Sequence, residues 1–488
     1  MILLYLLIGI YALGMLFIFV YSLAQGHLLL RFLGAKKSLE QVSHVSPEVW
    51  PKVTVQLPIY NELYVVDRLI EAVSQINYPL ELLEIQVLDD STDQTTKLIQ
   101  RKILEFPEIN FKYIHRSDRS GFKAGALKEG LAKANGEFIA IFDADFVPDP
   151  DFLLKTIPYF SSAKVGMVQT RWTHLNKNYS LLTRLQAFAL DAHFLIEQIG
   201  RNSQHAFINF NGTGGIWRKA CIVDAGNWQD DTLTEDLDLS YRAQRRGWEF
   251  VYRPEIESPA ELPPIMSAVK SQQFRWTKGG AECAVKHAKA VLRENLPFST
   301  KFHAMAHLFN SSIFIAILQV SLSSIGVWWA GTQGMISANL FKISGLFMIG
   351  FVIIAGVYLV AYFYGKRSFW RSFIQAIYML PLFLSVSMGL GLHNAQAVWK
   401  GLSGKKSPFI RTPKFNLESG SGLETNRYLK FKIPVTTWME GVLMLVFSGM
   451  VALHIYLGTF EMLPFHLMLA VGYGLVFFSS FKAYSLGK

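Results

Sequence analysis

Cysteine and charge are what the chain has least of. Its 488 residues include only two cysteines, Cys221 and Cys283, too few for a disulfide scaffold. Neither stands in a CxxC spacing, so the common zinc and thiol-redox arrangements are excluded and both read as reduced, structural thiols. Charged residues make up 17% of the chain, against about 25% in a soluble domain. No internal repeat or low-complexity tract is present, and disorder, collagen and coiled coil are excluded. What is there is apolar: 51% of residues are hydrophobic and 14% aromatic. The 47 Lys and Arg exceed the 37 Asp and Glu by 10, an excess that suits nucleic acid, anionic lipid or phosphorylated ligands without choosing among them.

The apolar residues gather at the two ends. Residues 2–24 carry no charge, and about 20 apolar residues span a bilayer core, so 1–25 is predicted to be a transmembrane helix and 26–50 a linker. A cleaved leader would need cations before the apolar run, whereas Arg31, Lys36 and Lys37 follow it. Further apolar stretches at 305–331, 343–364, 373–393, 437–457 and 463–481 make 305–488 a membrane region of four to five helices. Lys36, Lys37 and Lys301 flank the middle of the chain and place it in the cytoplasm. The protein is thus expected in a plasma or bacterial inner membrane. The stretch 373–393 is preceded by Lys366, Arg367 and Arg371 and followed by Lys400, Lys405, Lys406, Arg411 and Lys414. Both flanks call for the cytoplasm, so it is expected to be re-entrant or interfacial, broken at Pro381. Residues 278–304, with Lys278, Lys286, Lys289 and Arg293, read as an amphipathic helix on anionic headgroups or as a solvated face.

Between these ends the pattern alternates. Strand-like runs at 53–57, 84–88, 137–142 and 165–169 are separated by helical stretches such as 93–105 and 121–134. That order predicts an α/β domain over 51–277 with a mostly parallel sheet, and ligands bind beyond the carboxyl ends of such strands.

Acidic pairs stand at two of those ends. Asp89-Asp90 follows 84–88 and Asp143-Ala144-Asp145 follows 137–142. Alone, either can be a solvated turn or a helix cap; together, in one domain, they suit a hard cation that keeps positions open for diphosphate oxygens. Thr234-Glu235-Asp236 opens a helix from about 237 to 246. Carboxylates there are explained by the helix N-terminus, or by Asp236 serving as a general base. In Gln272-Gln273-Phe274-Arg275-Trp276, Arg supplies a fork for phosphate and Trp a face for a sugar ring, though a membrane-interface helix uses the same residues. Gly121-Phe122-Lys123-Ala124-Gly125 opens a helix whose lysine can approach a diphosphate. Asn211-Gly212-Thr213-Gly214-Gly215 is a turn whose amides can lie against a sugar, or turn chemistry alone. No cation-aromatic interleaving of a single-strand nucleic-acid groove is present, so no nucleic-acid partner is expected.

In order along the chain, Pro58-Ile59-Tyr60-Asn61-Glu62, Asp89-Asp90-Ser91, the 121–127 run, Asp143-Ala144-Asp145, Thr234-Glu235-Asp236 and Gln272-x-x-Arg275-Trp276 resemble a membrane-bound family 2 glycosyltransferase of the cellulose-synthase-like group. The runs 168–172, 210–218 and 272–276 are most similar to plant glucomannan mannosyltransferases and the glucan synthases of the xyloglucan backbone. The resemblance implies a GT-A fold and inverting transfer of a hexose from GDP-mannose or UDP-glucose to a growing β-linked polysaccharide. A glycolipid transferase adding one sugar shares much of the motif order, and a non-catalytic subunit is the remaining alternative. By position it implies Pro58, Tyr60, Glu62 and one of Asp89 or Asp90 at the nucleotide, Lys123, Asp143, Gln272 and Arg275 at the diphosphate, and Asp143 with Asp145 at Mg²⁺ or Mn²⁺. Asp236 would be the base, with Glu235 and Trp276 at the acceptor. The expected partners are a nucleotide-sugar donor, a glycan or glycolipid acceptor, membrane lipids and an export component of unspecified kind.

Overall fold

The computed structural model describes residues 2–39, 47–336, 345–364, 366, 369–407, 409–417, 428 and 433–485. The apolar N-terminus is a single helix, α1 (Ile2–Leu39). It runs past residue 25, so the linker expected from 26 is helical to Leu39, while 40–46 lie outside the described residues. Gln25 and Phe32 of this helix are buried. Phe32 packs into the core of the middle domain in one cluster with Leu131 and Phe210.

Seven strands form one sheet: β1 (Val53–Ile59), β2 (Leu83–Asp89), β3 (Phe111–His115), β4 (Phe138–Ile141), β5 (Val165–His174), β6 (Gly215–Arg218) and β7 (Glu249–Ala260). Their order is β3-β2-β1-β4-β6-β5-β7. Strands β1 to β4 are mutually parallel, as are β5 and β7, and β6 runs antiparallel to both its neighbours. The mostly parallel sheet is therefore present. β1 and β2 are buried along almost their whole length, because helices cover both faces of a parallel sheet and favour continuous Val, Ile and Leu runs. Polar residues inside those runs are matched across strands: Gln56 donates to Gln86 at 2.9 Å.

Helices α2 (Val66–Ser74), α3 (Thr95–Ile103) and α5 (Phe152–Thr156) pack on one face, and α4 (Phe122–Lys133), α8 (Lys219–Asp224) and α9 (Glu235–Arg245) on the other. Between β5 and β6, α6 (Leu181–Ala192) continues through a π-helical turn, His193–Glu197, into α7 (Gln198–Asn202). The domain then leaves along α10 (Met266–Arg293), α11 (Phe298–Leu308) and α12 (Ile313–Thr332).

That exit differs from the expected interface helix at 278–304. α10 begins twelve residues earlier, at Met266, because nothing in 266–277 breaks a helix, and Pro297 separates it from α11. Lys278 does not reach lipid: it is buried and bonded to Glu282 at 2.6 Å. Lys286 is likewise bonded to Asp231 and Asp238, each at 2.7 Å.

Among the described residues, five helices are long and apolar enough to cross a membrane: Leu4–Ala35, Asn310–Thr332, Ser372–Gly389, Val435–Leu457 and Leu463–Ala483, with a shorter apolar helix at Met348–Phe363. Pro381 lies inside the helix Phe369–Gly389 without interrupting it, correcting the break expected there. Gln375 in that helix bonds Tyr362, which packs on Phe188 of α6, and the following helix Gly391–Leu402 packs along α10. The helix Phe369–Gly389 and the one that follows it thus both pack on helices continuous with the domain. Arg367 lies outside the described residues.

Candidate active site

The carboxyl edge of the sheet is closed by turns that all converge on Lys123. Gly121 adopts φ +70° at the mouth of α4, which starts the helix where its second side chain enters the cavity. From there Lys123 donates to Asp143 Oδ1 at 2.6 Å and to the Gly212 carbonyl at 2.8 Å, and lies 3.9 Å from Glu235. One ammonium therefore draws together α4, the turn after β4, the turn before β6 and the start of α9. Burial opposes its charge, yet Asp143 and Glu235 hold its pKa above the ordinary value. The sequence expectation put this lysine at the diphosphate; the structure has it on Asp143.

The pocket around it is lined by Lys123, Asp143, Asp145, Glu235, Asp236, Gln272, Arg275 and Trp276. Gln272, Arg275 and Trp276 face it together because residues three and four apart share one face of α10. Asp236 is half-buried at the first turn of α9, and its Oδ1 accepts from the Leu237 amide at 2.9 Å. Its carboxyl is pushed up to about 7, by burial first and by the charge of Glu235 second, with Lys123 pulling the other way. Glu235 is also raised, again chiefly by burial. The Thr234 side chain does not cap α9.

Asp143 and Asp145 lie on the same turn with different partners. Asp145 Oδ2 meets Lys414 Nζ at 2.5 Å, while its Oδ1 is buried with no hydrogen-bond partner among the described residues. An unpartnered buried carboxylate oxygen beside a second carboxylate fits a divalent cation. No cluster of three or more His, Cys, Asp or Glu able to hold a metal occurs among the described residues. Two protein carboxylates, with the remaining positions left to phosphate oxygens and water, match Mg²⁺ or Mn²⁺.

The residues assigned to the nucleotide stand apart from that lining. Glu62 is buried and bound by two Arg411 nitrogens, Nε at 2.8 Å and Nη2 at 2.6 Å. The Arg119 guanidinium lies over the Tyr60 ring at 3.3 Å. Asp90 receives two nitrogens of Arg116, and Pro58 is part of β1. Asp89 is fully buried and taken up by the Ser91 amide, Thr96 and Tyr113, each at 2.8 Å. Its carboxylate is thus held within the fold, whereas Asp90 is held by Arg116.

Sequence reasoning missed the strand of chain at 409–417. Thr412 accepts from Arg275 at 2.8 Å, Arg411 holds Glu62, Lys414 holds Asp145, and the Asn416 amide donates to Glu261 at 3.1 Å. Phe409 lines the pocket with its ring centre 4.9 Å from the Arg275 guanidinium. The only available signal was the surplus of cations after residue 400, explained there by membrane topology alone. Trp172, which also lines the pocket and donates to the Thr213 carbonyl at 3.2 Å, lay unassigned in the 168–172 run.

A family model described as "Glycosyltransferase like family 2" matches residues 51–279. The chain carries a family 2 glycosyltransferase domain. Probable glucomannan 4-beta-mannosyltransferase 4 of Oryza sativa subsp. japonica is 45% identical over 251 residues, 50% of this chain and 46% of that one. Glucomannan 4-beta-mannosyltransferase 1 of Cyamopsis tetragonoloba is 42% identical over 268 residues, 53% of this chain and 51% of that one. The chain thus spans about half the length of the relatives it matches. Among solved structures, the mannosyltransferase PcManGT from Pyrobaculum calidifontis in complex with GDP-Man and Mn²⁺ is 18% identical, with TM-score 0.54, over 81% of this chain and 100% of that one. At that identity the likeness is one of fold, and the glycosyltransferase domain is GT-A.

Proposed function

We propose that the chain is an inverting hexosyltransferase that takes mannose from GDP-mannose and adds it to a growing β-linked polysaccharide at the cytoplasmic membrane face. Support comes from the similarity to plant glucomannan mannosyltransferases and from the GT-A neighbour solved with GDP-Man and Mn²⁺. The observation that carries the proposal is one pocket lined by Asp143, Asp145, Asp236, Gln272, Arg275 and Trp276.

A sugar hydroxyl is a weak nucleophile at neutral pH. Asp236 accepts its proton as it attacks the anomeric carbon, and a positioned base of this kind contributes about 10²–10⁴-fold. Trp276 offers the acceptor ring an apolar face, and Glu235 holds a hydroxyl beside the base. On the opposite side Arg275 and Gln272 bind the departing diphosphate, where fixed donors stabilise charge as it develops. Asp143 and Asp145 would hold Mg²⁺ or Mn²⁺, which when bound neutralises charge on the leaving nucleoside diphosphate. With displacement in one step and no glycosyl-enzyme, an α-linked donor yields a β-linked product. Tyr60, Glu62 and Asp90 border the nucleoside end. Lys123 sets the spacing of the donor and acceptor sides by gripping Asp143 and the Gly212 carbonyl at once.

Washed membranes containing the protein, given radiolabelled GDP-mannose or UDP-glucose with Mg²⁺ or Mn²⁺, test this. Ethanol-insoluble β-linked product from GDP-mannose is expected. Polymer from UDP-glucose alone would change the sugar, a single chloroform-soluble species would favour a glycolipid transferase, and consumption of neither donor would refute transfer.

A further inference from the structure

Beside Asp236 the pocket wall contains a side chain that the transfer chemistry above leaves unused. Asn211 lines the cavity, immediately before Gly212, whose added Cβ would stand 3.1 Å from Asp236 Oδ2. The orientation of its amide is determined by its neighbours. Asn209 Nδ2 donates to the Phe210 carbonyl at 3.2 Å, which identifies that atom as nitrogen, and it also donates to Asn211 Oδ1 at 2.9 Å. His193 Nε2 meets the same Oδ1 at 3.2 Å, while His193 Nδ1 meets the Glu197 carboxylate at 3.0 Å. Both ring nitrogens of His193 face acceptors. With its oxygen held from two sides, Asn211 is left with Nδ2, which is buried and has no partner among the described residues.

A buried amide nitrogen without an acceptor is costly in the free protein and becomes satisfied when a ligand oxygen arrives. The support behind it is rigid. Glu197 also bonds Arg201 at 2.9 Å and Gln25 of α1 at 2.9 Å, and the π-helical turn His193–Glu197 carries both ends of the relay. Burial alone would raise the Glu197 carboxyl; Arg201 and His193 outweigh it and hold it well below the usual range.

We infer that Asn211 recognises the saccharide: its amide nitrogen donates to one hydroxyl oxygen of the sugar held beside Asp236, and His193, anchored on Glu197, is the positioning residue that turns the amide that way. The inference rests on the pocket being a glycosyl-transfer site and adds the residue that reads a particular hydroxyl. Donor and acceptor are complementary here, since ionised Asp236 can only accept and Asn211 Nδ2 can only donate.

The test uses the full-length protein in membranes, with GDP-mannose and manno-oligosaccharide acceptors against mono-deoxy analogues of each at every ring position. Removal of one particular hydroxyl is expected to lower wild-type kcat/KM about tenfold, the value of one buried hydrogen bond. Asn211→Asp keeps an oxygen for His193 and Asn209 but has no donor; it is expected to turn over parent and that analogue equally, with ratios at all other positions unchanged. His193→Ala should erase the same ratio, and His193→Gln, which retains a donor, should restore it. Wild-type discrimination persisting in Asn211→Asp, or an equal loss with every analogue in either variant, would overturn the assignment. Neither result touches the transferase proposal, which fails separately if the wild type consumes no nucleotide sugar.

Discussion

A carboxylate that must collect a proton works best when its pKa lies near the working pH, and Asp236 is brought there by burial and by Glu235. Only the ionised form accepts a proton, so the acid limb of kcat/KM, which reports the free enzyme, is expected near pH 7, falling about tenfold per pH unit below it. Glu235→Gln removes the like charge and should move that limb to lower pH; a limb unmoved in the variant would mean that Glu235 does not act on Asp236. The same shift carries a stability consequence of definite sign. A carboxyl raised on folding is more protonated in the folded chain than in the unfolded one, so its contribution is present at acid pH and is lost as pH rises from 3.8 towards 7. Gly212 has φ +82° and sits against Asp236. Gly212→Ala costs roughly 1–2 kcal/mol for the left-handed backbone and presses on the base, so kcat should fall at least tenfold; near-normal kcat in a folded Gly212→Ala would contradict this packing. At this scale the motifs were legible for Asp143, Asp145, Asp236, Gln272, Arg275 and Trp276. They were not for Asp89 against Asp90, since adjacent residues at a strand end point to opposite faces and two acids side by side leave open which one is internal.

Among the elements, α10 links the membrane region to the chemistry. Gly279 allows it to lie against the turn before α9: a Cβ there would come within 2.5 Å of Thr234 Cγ2 and 2.9 Å of the Thr234 amide nitrogen. Backbone cannot yield as a side-chain tip can. Gly279→Ala is therefore expected to cost roughly 1–3 kcal/mol by overpacking and to push Arg275 and Trp276 away from Asp236, lowering kcat/KM while Gly280→Ala, which meets only the Ser311 side chain, is milder. Thermal melts and kinetics of the two variants decide it, and equal effects would argue against Gly279 as the contact that sets the gap. β1, β2, β4 and β5 were readable as β-branched runs. β3 (FKYIH) was hidden by its lysine and histidine, β6 (GIWR) by a glycine and an arginine at its ends, and β7 by two prolines and three glutamates in twelve residues. The start of α10 was misplaced because basic residues marked a face and not a boundary.

For the whole molecule, the chain from 409 to 417 returns from the membrane region to the catalytic edge and ties Glu62, Asp145 and Arg275 to a sequence-distant segment. Such pairing of residues some 350 positions apart (Glu62 with Arg411) leaves no periodic trace in a sequence, which is why an excess of cations was all that could be read. It also has a topological consequence. Ser403 and Glu108 are exposed and both native cysteines are buried, so Ser403→Cys and Glu108→Cys should be labelled by an impermeant thiol reagent from the same side of sealed vesicles; labelling from opposite sides would exclude the arrangement around Phe369–Gly389. The central claim is that distant acidic residues form one transfer site with Asp236 as its base, and comparison of Asp236→Asn with wild type in GDP-mannose turnover and GDP binding tests it most directly. Transfer is expected to fall at least a hundredfold with GDP affinity retained, whereas undiminished transfer by Asp236→Asn would contradict it.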